Sequence, residues 1–259
     1  MPKLSIITIN YNNLAGLKKT VESVVNQTWQ EFEYIVIDGG STDGSAAYIE
    51  SQSKHIDYWV SEPDAGIYNA MNKGIVKASG EYLLFLNSGD SLFDCEVLKK
   101  NYKYLVEKDI IYFNVVFIGE NGSTTLKYPE KINFSFFYEG TICHQAVMIN
   151  KKLFNEVGMY DESLKIVSDW KFFIIVFFKF NCTSKRLDRV LTNYTLDGFS
   201  SNRENNKLLQ FERQKVLNEE FGVFVKDYEQ MRELQQIVSS LRKSRKINLL
   251  IRLGLINKF

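Results

Sequence analysis

The sequence is poor in cysteine and has no long apolar run, and both features limit what the protein can be. Its three cysteines, Cys95, Cys143 and Cys182, are far apart and odd in number. Neither a disulfide framework nor a cysteine-rich zinc site is therefore expected, and a reducing compartment is favoured. The longest apolar run, FFIIVFF at 172–178, is far shorter than the roughly 20 residues that span a bilayer. It predicts the buried face of a helix.

Other absences exclude whole classes of function. The N-terminus shows neither the basic segment nor the apolar stretch of a signal peptide, which favours a soluble or peripheral protein. The net charge is +1, so the overall charge gives no indication of nucleic-acid binding. The chain has no Walker motif and no G-x-G-x-x-G fingerprint, which argues against an ordinary NTPase or dehydrogenase. A metal or basic side chains would then neutralise any bound phosphate.

What the sequence does contain is a regular alternation of predicted strands and helices in its first half. Apolar, β-branched segments predict strands at 4–10, 32–38, 56–61 and 81–87, and helical spacing predicts helices at 14–27, 43–52 and 66–78. Ser41 or Thr42 is the expected cap of the second helix. This alternation is typical of a mainly parallel sheet with helices on its faces.

After residue 90 the pattern changes. The sequence predicts a helix at 94–106, a hairpin that begins at 109–119 and turns at Asn121 and Gly122, and a short strand at 144–150. Two helices near 151–157 and 168–179 and a strand pair within 183–196 follow. From residue 202 the chain is charged and predicted to be helical.

Three of the predicted strands end in polar residues: Thr8, Asn10 and Tyr11 at the first, Asp38 and Ser41 at the second, and Asn87, Ser88 and Asp90 at the fourth. Ligands bind outside the carboxyl ends of the strands of an open parallel sheet. Asp38 would accept hydrogen bonds from a base N–H or from ribose hydroxyls, or else cap the turn before a helix. The convergence of three strand ends favours binding.

Asp90 suggests a metal. A carboxylate that follows a buried strand, beside the small residues Ser88 and Gly89, can approach a ligand closely. Mg²⁺ binds through one or two carboxylates together with substrate phosphates. A lone Asp in a turn is often only a turn residue, and a nucleotide diphosphate would complete a metal site here.

The segment 61–74, SEPDAGIYNAMNKG, is dense in polar residues. Asp64 precedes a predicted helix start, where a carboxylate suits the helix dipole. Asn69 and Lys73 lie four residues apart and so share one face of that helix. The segment is either a solvated first turn or a helix that opens toward a pocket.

Taken together and in order, these strings resemble the family 2 glycosyltransferases, which have the GT-A fold. The strings are T-x-N-Y, D-G-G-S-T-D-G, E-P-D-x-G-I-Y-N-A-M-N-K-G, L-N-S-G-D, H-Q at 144–145 and G-x-Y-D-E…S-D-W at 158–170. The resemblance covers residues 3–200. Its middle motif and L-N-S-G-D are similar to the branch that builds bacterial capsular, colanic-acid-type and O-antigen polysaccharides.

The resemblance implies an α/β protein of the GT-A type, with a mixed, mainly parallel central sheet flanked by helices and a C-terminal helical extension. It implies an inverting transferase that moves a sugar from a nucleotide-sugar donor to a hydroxyl of a glycan or lipid-linked acceptor. A UDP-sugar is the favoured donor, with a GDP- or dTDP-sugar as alternatives. Mg²⁺ or Mn²⁺ is the expected cofactor, and no nucleic acid is expected as a partner.

The resemblance also assigns residues to the donor site. Asp38 matches the carboxylate that reads the nucleotide base, and Thr8, Asn10 and Tyr11 match the loop that lines the nucleotide pocket. We place six further residues in the same site: Ser41, Asp64, Asn69, Lys73, Asn87 and Ser88.

Two acidic positions carry the implied chemistry. Asp90 matches the last Asp of the family's D-x-D-like metal motif, but Gly89 or Ser88 replaces the usual preceding Asp, so one carboxylate remains. Asp169 matches the catalytic base. From the residues alone, Asp169 opens the helix at 168–179, where partial desolvation would raise its pKa toward that of a useful base. The alternative is that Asp169 or Ser168 caps that helix.

Two basic residues complete the predicted site. His144 would touch the acceptor or a phosphate, or else form a hydrogen bond in the core. Arg203 lies in G-F-S-S-N-R at 198–203, which resembles the family's loop that closes over the diphosphate. It would neutralise phosphate, or it is simply an exposed Arg at a helix start.

The C-terminal segment 241–259 holds six Lys or Arg residues and no acidic one, with apolar residues between them. A basic helix with an apolar face suits an anionic membrane surface; packing on the domain or on a homodimer partner is the alternative. We therefore predict a GT-A catalytic domain at 1–225, divided into a donor half at 1–110 and an acceptor half at 111–225. The basic tail at 226–259 would place a cytoplasmic enzyme on the inner face of the cell membrane.

Two other functions compete with this interpretation. One is a catalytically weak or inactive nucleotide-sugar-binding protein of the same fold, which Gly89 in the metal motif supports. The joint presence of Asp38, Asp90 and Asp169 argues against it. The other is a nucleotidyltransferase, but residues 10–20 lack the Gly- and Arg/Lys-rich phosphate loop that it would need.

Overall fold

The computed structural model describes residues 2–106, 108–119, 122–195 and 205–257. The chain forms two compact units, Met1–Leu209 and Gln210–Phe259. The predicted turn residue Asn121 and the predicted phosphate ligand Arg203 lie outside the described residues.

One sheet organises the first unit. Its strands among the described residues are β1 (Leu4–Asn10), β2 (Glu33–Asp38), β3 (Tyr58–Ser61), β4 (Tyr82–Asn87), β5 (Ser91–Leu92), β6 (Ile110–Gly119), β7 (Gly122–Leu126), β8 (Val147–Asn150) and β9 (Ser184–Thr195). They are ordered β3-β2-β1-β4-β8-β6-β9-β5, and β7 pairs with β6. The sheet is mixed, since β8 runs antiparallel to β4 and to β6.

Helices flank this sheet. They are α1 (Leu14–Val25), α2 (Ser45–Ser51), α3 (Ile67–Lys77), α4 (Val97–Asn101), α5 (Phe134–Glu139), α6 (Lys152–Val157) and α7 (Ser168–Phe178). The apolar run at 172–178 lies in α7 as expected, with Phe172, Phe173, Ile174 and Val176 buried. In α1, Leu17, Val21 and Val24 are fully buried. They belong to the same core cluster as Leu4 and Ile6 of β1.

The parallel part of the sheet confirms the predicted alternation. β1 pairs in parallel with β2 and with β4, and β2 pairs in parallel with β3. In this register Asn10 lies beside Asp38, Asp38 beside Ser61, and Ile9 beside Asn87. The polar strand ends therefore share one edge, which is the edge that the sequence indicates.

The second half of the first unit departs from prediction in several places. The segment 184–195 is one long strand rather than a strand pair, because β9 runs parallel to β6 along most of its length, with irregular register near Asn114. Residues 144–146 form a 3₁₀ turn before β8, and the predicted helix at 94–106 is only α4 and a 3₁₀ turn. The short α5 has no counterpart in the prediction.

The expected cap of α2 is also different. Gly44 precedes this helix with φ of 96°, and no side chain caps it there. Asp43 accepts hydrogen bonds from the Ser45 N–H and hydroxyl instead. The Ser41 N–H and hydroxyl donate to Asp38 rather than capping α2.

The second unit is helical. α8 (Asn206–Lys243) begins before its boundary and contains a non-helical residue at Phe221, and α9 (Arg245–Arg252) follows. No helix in the described part of the chain combines the length and the apolar character that crossing a membrane requires.

Candidate active site

Asp38 ends β2 with no solvent exposure. Its oxygens accept four hydrogen bonds: from Asn10 Nδ2 at 2.7 Å, from the Ser41 N–H and hydroxyl at 2.9 and 2.6 Å, and from the Ser61 hydroxyl at 2.6 Å. Burial alone would raise the pKa of Asp38, but the Ser41, Ser61 and Asn10 donors bring it below its usual value. Asp38 is thus an ionised carboxylate that ties together the ends of three strands.

Asn10, Asp38, Ser41 and Ser61 form what we call the strand-end cluster. Tyr11 and Asp64 lie on its open side. The Tyr11 side chain is 66% exposed, which is unusual for a large aromatic ring. A Cβ atom at Gly39 would lie 2.5 Å from the Asp64 carboxylate and 3.2 Å from the Tyr11 ring. Because residue 39 lacks a side chain, both groups can lie against the backbone that follows Asp38. An exposed ring beside a carboxylate is a suitable surface for a nucleoside.

The end of β4 is held by α1. Asn13, the N-cap of α1, accepts from the Gly16 N–H and donates to the Ser88 carbonyl at 3.1 Å. The Asn87 side-chain oxygen is buried and has no hydrogen-bond partner among the described residues. A buried polar atom without a partner is costly, so this oxygen is a candidate contact for a ligand.

Asp90 follows in a turn that glycine makes possible. Gly89 has φ of 108°, a backbone conformation that other residues rarely adopt. Asp90 is only 4% exposed. It accepts from Gln145 Nε2 at 2.8 Å and from the Thr195 N–H at 3.3 Å. Burial raises the pKa of Asp90 to about 6, even though the Gln145 bond lowers it.

Asp169 lies in the first turn of α7, and its side chain is 15% exposed. One oxygen is 2.9 Å from the Tyr68 hydroxyl and the other is 3.1 Å from His144 Nδ1. Burial alone would raise its pKa, but the His144 and Tyr68 contacts bring the pKa below the ordinary value. Desolvation acts in the expected direction, but the expectation of a raised pKa for Asp169 is wrong, because two donors that the sequence does not place beside Asp169 outweigh it.

The dipeptide His144-Gln145 connects the two acidic residues, which we call the carboxylate pair (Asp90 and Asp169). His144 contacts Asp169, and its neighbour Gln145 donates to Asp90. Both residues of the dipeptide are buried. His144 was among the sequence candidates, whereas Gln145 and Tyr68 were not. Their signal was present in the H-Q and G-I-Y-N strings, but nothing in the sequence alone indicates what they contact.

Among the described residues, Asp90 is the candidate ligand for a divalent cation. They contain no group of three or more His, Cys, Asp or Glu side chains that could hold a metal ion. Among the described residues Asp90 forms no salt bridge, and its two oxygens accept one hydrogen bond each, so lone pairs remain for a cation. Mg²⁺ and Mn²⁺ accept such a site when substrate phosphates and water complete the coordination.

Three sequence candidates lie away from these clusters. Thr8 is fully buried, and its hydroxyl is paired with the Tyr34 hydroxyl at 3.1 Å, so it offers no surface to a ligand. Asn69 donates to Glu162, and Lys73 forms a salt bridge with Glu62 at 2.7 Å. Asn69 and Lys73 line a cavity of about 600 Å³.

The floor of that cavity includes Ile37 and Val60. These residues alternate with Asp38 and Ser61 along β2 and β3, so their side chains lie on the opposite face of the sheet. Glu162, which accepts from both Asn69 and Asn72, was not a sequence candidate.

The sequence itself matches the family described as Glycosyl transferase family 2 over residues 5–177. The chain belongs to this family. An uncharacterised glycosyltransferase of Mycobacterium tuberculosis is 35% identical over 208 residues, which cover 78% of this chain and 79% of that protein. A PGL/p-HBAD biosynthesis glycosyltransferase of Mycobacterium bovis is 29% identical, covering 78% and 80% of the two chains. The protein is accordingly a glycosyltransferase.

Solved structures confirm the GT-A fold of this family 2 member. Staphylococcus aureus TarS in complex with UDP superposes with a TM-score of 0.61 at 22% identity, covering 74% of this chain. The chain spans 60% of the length of that TarS structure. The Pyrobaculum calidifontis mannosyltransferase PcManGT, in complex with GDP-Man and Mn²⁺, gives a TM-score of 0.60 at 14% identity and covers 77% and 59% of the two chains.

Proposed function

We propose that this family 2 glycosyltransferase moves a sugar from a nucleoside-diphosphate donor to an acceptor hydroxyl with inversion at the anomeric carbon. The observation that carries the proposal is the carboxylate pair. One member, Asp169, is kept ionised by two donors, and the other, Asp90, is a buried acid without a salt bridge in the described residues. Adjacent residues of one dipeptide contact the pair: His144 contacts Asp169, and Gln145 donates to Asp90.

The two acids have different roles in this mechanism. Asp169 accepts the proton of the acceptor hydroxyl as its oxygen attacks the anomeric carbon, and the bond from that carbon to the diphosphate breaks with its electron pair on the leaving oxygen. A lowered pKa keeps Asp169 ionised at neutral pH, which is the form that accepts a proton, although it also makes Asp169 a weaker base than one with a pKa near 7. Asp90 would hold Mg²⁺ or Mn²⁺, and such a cation would stabilise the charge that develops on the diphosphate.

The strand-end cluster would bind the nucleoside. The exposed Tyr11 ring would stack on the base, and Asp64 and the Asp38 network would contact its polar edge or the ribose. Because Asp38 already accepts four protein hydrogen bonds, a base N–H must share or displace one of them. TarS was solved with UDP and PcManGT with GDP-Man; we propose a UDP-sugar, with GDP- and dTDP-sugars as the alternatives.

The acceptor is a glycan or a lipid-linked sugar in surface polysaccharide synthesis. The name of the Mycobacterium bovis relative, a PGL/p-HBAD biosynthesis glycosyltransferase, is consistent with a cell-envelope acceptor. The basic segment after residue 241 would bring the enzyme to an anionic membrane on the cytoplasmic side, and a homodimer through this segment is the alternative. Residues 1–225 would hold the whole catalytic apparatus.

The test compares Asp169→Asn with Asp109→Asn. Asp109 is a fair control because its side chain is 14% exposed and is also paired, with Lys152 at 2.7 Å. Loss of a positioned base lowers turnover by about 10²–10⁴-fold, so we expect Asp169→Asn to lose that factor in kcat. Calorimetry should show unchanged nucleotide affinity, and Asp109→Asn should retain the parent kcat. Sugar transfer by Asp169→Asn at the parent rate would overturn the proposal.

A further inference from the structure

The Tyr68 hydroxyl lies between two acceptors. It is 2.9 Å from Asp169 Oδ1 and 2.6 Å from the backbone carbonyl oxygen of Ile166, and Tyr68 is only 5% exposed. A phenol has one proton to donate and can also accept. The hydroxyl therefore donates fully to only one of these two oxygens at a time.

The hydroxyl keeps its proton throughout. Burial, followed by the charge of Asp169, raises the pKa of Tyr68 well above its ordinary value. While Asp169 is ionised, its oxygens can only accept, so the Tyr68 proton is available to Asp169. The Ile166 carbonyl, at 2.6 Å, competes for the same proton.

Protonation of Asp169 reverses the direction of the hydrogen bond between Asp169 and Tyr68. A protonated carboxyl is a donor, and Tyr68 must then accept if the two groups are to stay hydrogen-bonded. The nearby Ile166 carbonyl at 2.6 Å gives the Tyr68 proton a second place to go. His144 Nδ1, at 3.1 Å, occupies the other oxygen of Asp169, which leaves Oδ1 as the oxygen that holds the new proton.

We propose that Tyr68 is a positioning residue whose hydroxyl donates to Asp169 before sugar transfer and turns to the Ile166 carbonyl when Asp169 takes the acceptor proton. The inference rests on the proposed function, with Asp169 as the base. In the step itself, the acceptor oxygen bonds to the anomeric carbon, the bond to the diphosphate oxygen breaks, and the proton moves to Asp169 Oδ1. Tyr68 neither gains nor loses a proton overall.

The test uses Tyr68→Phe, which removes only the hydroxyl. Tyr82→Phe is the matched control, because Tyr82 is fully buried and its hydroxyl also donates to a backbone carbonyl, that of Lys108 at 2.7 Å. A hydrogen bond to a charged group affects a rate by about 10- to 100-fold. We expect kcat of Tyr68→Phe to fall by that factor, with the donor KM within about twofold of the parent. Tyr82→Phe should keep the parent kcat at a temperature where thermal unfolding shows both variants folded.

A double variant separates the two proposals. If Tyr68 acts through Asp169, adding Tyr68→Phe to Asp169→Asn should lower the residual kcat by no more than about twofold. If Tyr68→Phe lowers kcat by the same factor in the parent and in Asp169→Asn, the proposed role of Tyr68 is wrong. A parent kcat in Tyr68→Phe while Asp169→Asn is inactive would also overturn that role and would leave the proposed function standing. A parent kcat in Asp169→Asn would instead overturn the proposed function.

Discussion

The buried carboxylates of this protein differ in their hydrogen-bond donors, and the donors decide their pKa values. Asp38 accepts four hydrogen bonds, and its pKa is lowered. Asp169 is served by Tyr68 and His144, and its pKa is also lowered. Asp90 has one strong and one long hydrogen bond, and burial raises its pKa to about 6. Of these three carboxylates, Asp90 is therefore the one whose ionised form the fold stabilises least.

This difference predicts how Asp90 affects stability. Its pKa rises from 3.8 in the unfolded chain to about 6 in the folded protein, so its contribution is fully present below pH 4 and is lost as the pH rises through 6. The loss is on the order of 3 kcal/mol. We expect Asp90→Asn to gain stability relative to the parent between pH 4 and pH 7.5, measured by thermal unfolding with a chelator and no nucleotide.

The test of this prediction is how the difference in unfolding free energy between Asp90→Asn and the parent changes with pH, not the size of that difference at one pH. An Asn amide facing the Thr195 N–H costs the same at every pH, as does any change in packing. All other titrating groups are common to both proteins. A constant difference in unfolding free energy across this pH range would show that Asp90 is not the group described here.

The sequence predicted the positions of the candidate residues correctly where backbone pairing decides them. Asn10, Asp38 and Asn87 end neighbouring parallel strands, so the strand pattern alone brings them together. It did not predict that Thr8 is fully buried, with its hydroxyl paired with that of Tyr34. It did not single out Tyr68 and Gln145, because their partners come from segments 101 and 55 residues away. Contacts at such separations follow from the fold and have no local pattern.

At the scale of elements, α3 lies close against β1 because residue 74 has no side chain. A Cβ atom at Gly74 would be 2.5 Å from Ile7 Cγ2. α3 also carries Tyr68, so its distance from the sheet sets the position of the hydroxyl beside Asp169. A glycine inside a helix costs about 1 kcal/mol relative to alanine, which close packing at this position offsets.

Gly74→Ala should therefore destabilise the protein in spite of its better helix propensity. Because a Cβ atom 2.5 Å from the fully buried Ile7 forces a shift, we expect a cost in the upper part of the range of about 1–3 kcal/mol for overpacking a core, which exceeds the gain of about 1 kcal/mol. In an Ile7→Ala background the obstructing methyl is gone, and Gly74→Ala should then be neutral or stabilising. Urea unfolding of the four proteins tests this, and destabilisation of the same size in both backgrounds would contradict the packing argument.

The same scale shows which parts of the fold were predictable. The first four strands and three helices have clear apolar periods, and their order was predicted correctly. The 184–195 segment was predicted as part of a strand pair, whereas pairing with β6 keeps it a single extended strand. Parallel pairing between distant strands depends on their partner, and no window of sequence shows it.

At the scale of the whole molecule, charge is unevenly distributed along the chain. The described part of the C-terminal segment holds Arg242, Lys243, Arg245, Lys246 and Arg252, without an acidic residue from 241 to 257. Leu249, Leu250, Leu253 and Leu255 are exposed by 36–66%. Basic residues near an anionic surface contribute about 1 kcal/mol each, and the exposed leucines would add insertion into the lipid.

We expect the full chain to co-sediment with vesicles that contain anionic lipid and not with neutral vesicles. Chain 1–240 should remain in the supernatant. Leu250→Ser with Leu253→Ser should weaken sedimentation, whereas Leu234→Ser, at a residue 64% exposed in α8, should leave it unchanged. Equal sedimentation of the full chain and chain 1–240 would remove the membrane from the proposal, and a concentration-dependent dimer in solution would support the alternative.

The left-handed backbone at Gly89 has a consequence for redesign. Adding a second acid at position 89, directly before the proposed metal ligand Asp90, would place an L-residue at φ of 108°, which costs on the order of 1–3 kcal/mol. Ser88 does not have a positive φ and precedes the same turn. A variant designed to strengthen the proposed metal site should therefore carry the second acid at position 88 and keep the glycine at 89.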